Sequence, residues 1–167
     1  MMPETNHPPE FHGGSFPLMI DLAGKTVLVV GGGAVAARKI RTLVSFGARV
    51  RVVSPALSPD VPREQVEHTA REWREEDLGG ALLAVAATDR REVNAAVARA
   101  CRERKILCNV ADRPAECGFF FPAVAQAGAV TVGITSGGES PSLVRRVRRA
   151  LQLILPEIVE RAVKADE

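Results

Sequence analysis

Cysteine is scarce in this sequence, and what there is follows no pairing pattern. Its 167 residues hold only Cys101, Cys108 and Cys117, an odd set without a C-x-x-C pair, which excludes a disulfide framework and a zinc knuckle and suits a reducing compartment. Long apolar runs are missing as well. None approaches the ~18 to 20 residues of a membrane span, so no membrane association is expected. Charge of one sign is also lacking: 22 Lys and Arg stand against 20 Asp and Glu, a net charge of +2, which gives no general reason to expect nucleic acid. The first 16 residues have neither a basic n-region nor an apolar h-region, so they do not form a secretory signal. We expect a cytoplasmic protein with a flexible N-terminus over residues 1–16. His7 and His12 fall in that lead with no companions to complete a ligand set, and no metal site is expected.

What is present is ordinary for a globular chain, with 46% hydrophobic and 25% charged residues. A chain of this size buries roughly two-thirds of its unfolded surface, enough for one domain plus an appendage. TVLVV, following Lys25, is a short apolar run rich in β-branched residues, as in a strand covered on both faces. Glycines end it. AVAARKIRTLVSFG follows with Val35, Ile40, Leu43 and Val44 at helical spacing before Gly47 stops the helix. RVRVVSP is then a second strand closed by Pro55, and the order strand, turn, helix, strand makes a βαβ unit with a parallel sheet. VEHTARE holds a short third strand, ALLAVAA a fourth, REVNAAVARACRERK a helix and ILCNVAD a fifth strand.

The fold class expected is α/β, a Rossmann-like parallel sheet with helices on both faces over residues 17–112. A small α+β segment follows over 113–140, in which FFFPAV and AVTVGITS read as strands, and a C-terminal helical segment over 141–167. The last helix opens with Ser140 as N-cap and Pro141 at its first position. Leu143, Val147, Leu151 and Leu155 share one face. Pro156 is expected to interrupt it, leaving EIVERAVKADE as a short final helix.

Gly31, Gly33 and Ala36 satisfy G-x-G-x-x-A between a strand and a helix, where that motif cradles a dinucleotide. The first glycine permits a tight turn, the second lets the backbone approach a pyrophosphate, and the amides at the helix start face the phosphates. The carboxylate usual at the end of the second strand is absent: Ser54 stands there, and no acid occurs from Ala34 through Pro59. Arg49 and Arg51 suit a 2′-phosphate or simply an exposed strand face, so NAD and NADP both stay open. Further polar residues mark strand ends, where ligands of open α/β sheets bind. Asp89 reads as the N-cap of the next helix. Asp112, at the end of the fifth strand and just before Arg113 and Pro114, reads either as a turn-initiating aspartate or as a carboxylate placed to move a proton while a nicotinamide takes a hydride. Arg145, Arg146, Arg148 and Arg149 form either a solvated helix face or a field suited to a polycarboxylate. TSGGES reads as an anion-binding loop or a hinge. Cys108 reads as a small core residue, and His68 as a structural residue with no partner in sequence reach.

Together these residues resemble the precorrin-2 dehydrogenase family, the N-terminal part of siroheme synthases and their stand-alone relatives. The markers are FPLMIDLAGKTVLVVGGGAVAARKIRTLVSFGARVRVVSP, AREWREEDLGGALLAVAATDRREVN, NVADRPAECGFFFPAV and VTVGITSGGESPSLVRRVRRAL, in that order. The resemblance implies oxidation of precorrin-2 to sirohydrochlorin with NAD. It places cofactor contacts on Gly31, Gly32, Gly33, Ala34 and Val35, on Ser54, Pro55 and Ala56, and on Thr88. It puts the catalytic aspartate on Asp112, a serine near substrate on Ser136, and a motive for Arg146 and Arg149 in the substrate's carboxylates. It also implies that 113–140 is a dimerisation and substrate segment, and hence a homodimer. Some family members insert ferrous iron as well; fuller members continue past the last helix while this chain stops at Glu167, which favours dehydrogenation over chelation. An NAD(H)-sensing regulatory module without tetrapyrrole chemistry is the alternative of another class.

Overall fold

The computed structural model describes residues 16–137 and 139–165; the lead carrying His7 and His12 lies outside them. Residues 20–121 form one compact unit, and residues 122–165 with 16–19 another.

In the first unit five short strands, β1 (Thr26–Val30), β2 (Arg49–Val53), β3 (Val66–Thr69), β4 (Leu83–Ala86) and β5 (Leu107–Val110), make a parallel sheet in the order β3-β2-β1-β4-β5. Alternate residues of a strand point to opposite faces, and both faces here are covered. Val27, Val29, Val50, Val52 and Val85 pack on Ala36, Ala37, Ile40 and Leu43 of helix α1 (Ala34–Ser45). Leu28, Val30, Ala84, Ala86, Cys108 and Val110 pack on Val97, Ala98 and Cys101 of helix α2 (Arg91–Glu103). Each fully buried valine or leucine contributes ~1.5–3 kcal/mol, which is why the strands read as continuous apolar runs. Gly47, at φ +75°, ends α1 by donating to the Val44 carbonyl, while Ala48 donates to Leu43, the Schellman pattern.

The expected break after Asp112 falls nine residues later in the structure. Gly118 N–H donates to the Cys108 carbonyl at 2.7 Å, Val110 N–H to the Cys117 sulfur at 3.2 Å and Asn109 Nδ2 to the Phe119 carbonyl at 2.9 Å. Residues 117–119 therefore cover the exposed edge of β5, a position that would otherwise invite pairing with another chain. FFFPAV is not a strand as far as Phe121. Phe119 and Phe121 pack against the α1 side of the core instead, their rings 5.4 Å apart.

The second unit holds an antiparallel pair, β6 (Ala123–Ala127) and β7 (Val130–Ile134), and one long helix, α3 (Pro141–Ala165). Ser140 caps α3 through Oγ to the Leu143 N–H at 3.4 Å, with Pro141 in the first position. Gln152 reaches β6 with both ends of its amide, donating to the Gln126 carbonyl at 3.0 Å and accepting from Gln126 N–H at 3.4 Å. Pro156 does not interrupt α3. The Gln152 carbonyl loses its helical donor to the proline ring, and the helix runs on to Ala165. No helix among the described residues is long and apolar enough to cross a membrane.

Candidate active site

A cleft of about 460 Å³ opens at the carboxyl ends of β1, β2 and β4, where the strand order reverses direction away from β1 and ligands of such sheets bind. Gly31, Gly32 and Gly33 form its floor, Ser54 and Pro55 one wall, and Thr88 the other.

The three glycines are required for different reasons. Gly31 sits at φ +116° and donates to the Val53 carbonyl at 3.0 Å; a Cβ there would lie 2.3 Å from the Ala87 oxygen. A Cβ on Gly32 would lie 2.1 Å from the Ala56 oxygen. Both glycines are dictated by the protein's own backbone. Gly33 is not: its backbone is extended, at φ −77° and ψ −175°, and a Cβ there would meet nothing within 4 Å. Open space above Gly33 is room for something that is not protein. Gly33 is also the N-cap of α1, whose first turn holds no acidic residue and whose first internal bond runs from Ala37 to Gly33. The amides before Ala37 and the positive end of the helix dipole are thus unspent, which suits a diphosphate. The residues present fit a dinucleotide.

Side chains of Ala34 and Val35 are exposed at the start of α1 and do not line the cleft, nor does Ala56; what the first two offer a phosphate is backbone. Ala56 supplies a carbonyl that accepts from the Ser54 hydroxyl at 2.7 Å. Ser54 is accordingly a turn residue, and its own carbonyl takes the His68 Nε2 at 2.9 Å, so His68 has the partner that was not legible in sequence. Arg49 and Arg51 are also spent on backbone, Arg49 on the Gly24 carbonyl and Arg51 on those of Asp77 and Gly79. Neither lines the cleft.

On the β4 side the expected capping by Asp89 is not found. The N-cap of α2 is Arg90, one residue later, and the Thr88 hydroxyl accepts from the Arg90 N–H at 3.2 Å, leaving Asp89 on the cleft wall. Thr88 also meets Asn94, a fully buried side chain. Asn94 Oδ1 accepts from Thr88 N–H at 3.0 Å and lies 2.8 Å from its hydroxyl; Nδ2 donates to the Thr88 carbonyl at 3.1 Å and to Asp112 Oδ1 at 3.0 Å. Arg91 lies 3.4 Å from both Asp112 oxygens and is paired on its other side with Glu116. Asp112 keeps 37% of its side chain exposed. Asn109, a polar residue near the same strand end, is buried rather than open to a ligand. Cys108 is a core residue, as expected; its thiol hydrogen-bonds Cys101, and that bond followed by burial holds Cys108 protonated.

Ser136, Arg146 and Arg149 belong to the second unit. Ser136 Oγ accepts from the Ser140 N–H at 2.9 Å, and both arginines are exposed on α3. Sequence reasoning missed Glu72, Trp73, Arg90 and Asn94. Glu72 and Arg90 form a 2.7 Å ion pair on the cleft rim, and Trp73 lines the cleft while packing on the α2-side core. For Asn94 a signal existed: it shares a helix face with Val97, Ala98 and Cys101, and a polar side chain on a buried face needs partners.

Residues 18–123 match a family described as putative NAD(P)-binding. A siroheme synthase of Photobacterium profundum is 40% identical over 145 residues, covering 84% of this chain and 31% of its own length. Siroheme synthase 1 of Aeromonas salmonicida is 43% identical with the same coverage. The solved structure of SirC, precorrin-2 dehydrogenase, aligns with a TM-score of 0.67 at 32% identity, covering 82% of this chain and 69% of SirC. The chain thus spans about 31% of the length of the curated relatives it matches.

Proposed function

The chain belongs to the putative NAD(P)-binding family, and on that premise, with SirC and siroheme synthases as its relatives, we propose that it oxidises precorrin-2 to sirohydrochlorin, with NAD as hydride acceptor. One observation carries the chemistry: a glycine cradle and a half-exposed carboxylate stand at the same edge of one parallel sheet, Gly31–Gly33 after β1 and Asp112 after β5. Bound in the cleft, NAD supplies an electrophilic carbon for a hydride. Gly33 and the amides opening α1 hold the diphosphate, and Ser54, Pro55 and Thr88 flank the remainder. Removing two electrons as hydride also requires the loss of a proton. A substrate bond to hydrogen breaks with its electrons staying on the macrocycle, and the proton passes to the Asp112 carboxylate.

We place the working form as a homodimer. Leu143, Val147, Ile154 and Ile158 are exposed along one side of α3, an apolar surface that a second copy covers. Ser136, Arg146 and Arg149 are assigned to the substrate's carboxylates, which match arginine's forked donors. Three free cysteines support a reducing, cytoplasmic setting.

The test is anaerobic incubation with precorrin-2, with NAD and NADP in parallel. NADH should accumulate as sirohydrochlorin forms. Asp112→Ala should lower turnover by ~10²–10⁴, with the calorimetric NAD affinity kept within about twofold of the parent chain. A cofactor-sensing module would instead bind NAD and oxidise nothing. Sirohydrochlorin with ferrous iron, supplied anaerobically, reads out iron insertion separately.

A further inference from the structure

We infer that Asn94 is a positioning residue: its buried amide, bonded to Thr88 of the cofactor cleft and to Asp112 Oδ1, aims the Asp112 carboxylate and leaves Oδ2 as the oxygen that takes the substrate proton. The inference rests on the oxidation proposed above for its chemistry, and on geometry alone for its structural half.

The orientation of the amide follows from its neighbours. Thr88 N–H is a backbone donor and must face an acceptor, so Oδ1 of Asn94 points to it. Nδ2 is then fixed on the other side, where both its hydrogens find acceptors, the Thr88 carbonyl at 3.1 Å and Asp112 Oδ1 at 3.0 Å. All four hydrogen-bonding positions of the amide are engaged, on a side chain with no exposure at all. Such a group does not rotate without leaving several buried partners unsatisfied.

Asp112 inherits this rigidity. Oδ1 is occupied by Asn94, and the carboxylate plane is steadied by Arg91 of α2, 3.4 Å from each oxygen. Glu116, on the turn Pro114–Glu116, holds Arg91 from behind. Oδ2 has no contact closer than that of Arg91. When a substrate N–H or C–H bond breaks, its electron pair stays on the substrate and the hydrogen nucleus forms the Oδ2–H bond. The same amide ties the acid to the cofactor wall, beside the backbone bond from Ala111 N–H to the Ala86 carbonyl at 2.9 Å that joins the two strand ends.

Asn94→Asp tests this in the full chain. The shape is kept and Thr88 N–H still finds an acceptor, but the donor to Asp112 becomes a second carboxylate. Two carboxylates sharing a site hold a proton between them. A ¹³C-carboxyl titration should show the 94/112 pair retaining a proton with roughly tenfold or more the affinity of Asp112 in the parent chain. The acid limb of the kcat profile should move to higher pH, where a merely structural residue would scale kcat equally at every pH. Because the variant could fail to fold, Asn94→Asp with Asp112→Asn is the companion. It restores the 94–112 hydrogen bond with donor and acceptor exchanged, leaving only the Thr88 carbonyl without its donor, and should unfold at a higher Tm than the single variant and regain NAD affinity while remaining inactive. An unchanged carboxyl titration in the single variant, or a double variant no better folded than the single one, overturns the inference. If the parent chain leaves precorrin-2 untouched while the titration moves, the proposed function falls and the positioning role stands; turnover with an unmoved titration does the reverse.

Discussion

A methyl group added at Gly33 has nothing to strike, whereas one added at Gly31 stands 2.3 Å from the Ala87 oxygen on a backbone at φ +116°. Gly33→Ala should therefore fold with a Tm within about 2 °C of the parent and lose roughly tenfold or more in NAD affinity, read by calorimetry. Gly31→Ala should lose at least ~1–3 kcal/mol of stability, measured by urea unfolding, with the cofactor absent from both samples. Lys39 offers a different test. Its ammonium lies 4.3 Å over the Phe121 ring, an attraction that favours the cation, yet burial outweighs it and, with repulsion from Arg38, lowers the pKa from 10.5 to about 8. Between those values the unfolded chain holds a proton that the folded chain has released. Stability then rises with pH across that interval, since the unfolded state binds more protons. Urea midpoints at about pH 8 and pH 10.5 should show the rise, and Lys39→Met should flatten it.

Helix α2 ends as α1 does, but without the glycine. Lys105 occupies the left-handed position at φ 57°, donating to the Arg102 carbonyl while Ile106 donates to Cys101. A side chain there costs ~1–2 kcal/mol that glycine avoids, so Lys105→Gly should raise stability by about 1 kcal/mol in thermal unfolding. The strands and both helices of the first unit were legible because burial on two faces writes unbroken apolar runs, and because Gly31–Gly33 and Gly47 punctuate them. The strand-end place of Asp112 was legible for the same reason: it is the first carboxylate beyond such a run. Two kinds of feature escaped. Residues 117–119 cover β5 through backbone bonds and a cysteine sulfur, which leave no periodicity in the sequence. Pro156 lies inside α3 although it removes a helical donor, a tolerance that local sequence does not carry. Asn94 was overlooked as one polar residue among several on α2, although its neighbours on that face are apolar.

At the scale of the molecule, the apolar residues left exposed along α3 set the assembly we expect. Sedimentation should give about twice the 17.9 kDa of one chain. Ile154→Glu combined with Ile158→Glu should return the monomer mass and leave calorimetric NAD affinity unchanged, because both residues lie on α3 and the glycine cradle belongs to the other unit. The whole sequence contains one tryptophan and no tyrosine. That tryptophan is Trp73, which lines the cofactor cleft beside Glu72. Indole emission from this protein is consequently emission from the cleft wall alone. A dinucleotide entering the cleft should quench it, and a reduced nicotinamide nearby should accept its energy, so that titrating NAD and NADH while recording indole emission would report occupancy and redox state of the cleft without an added dye.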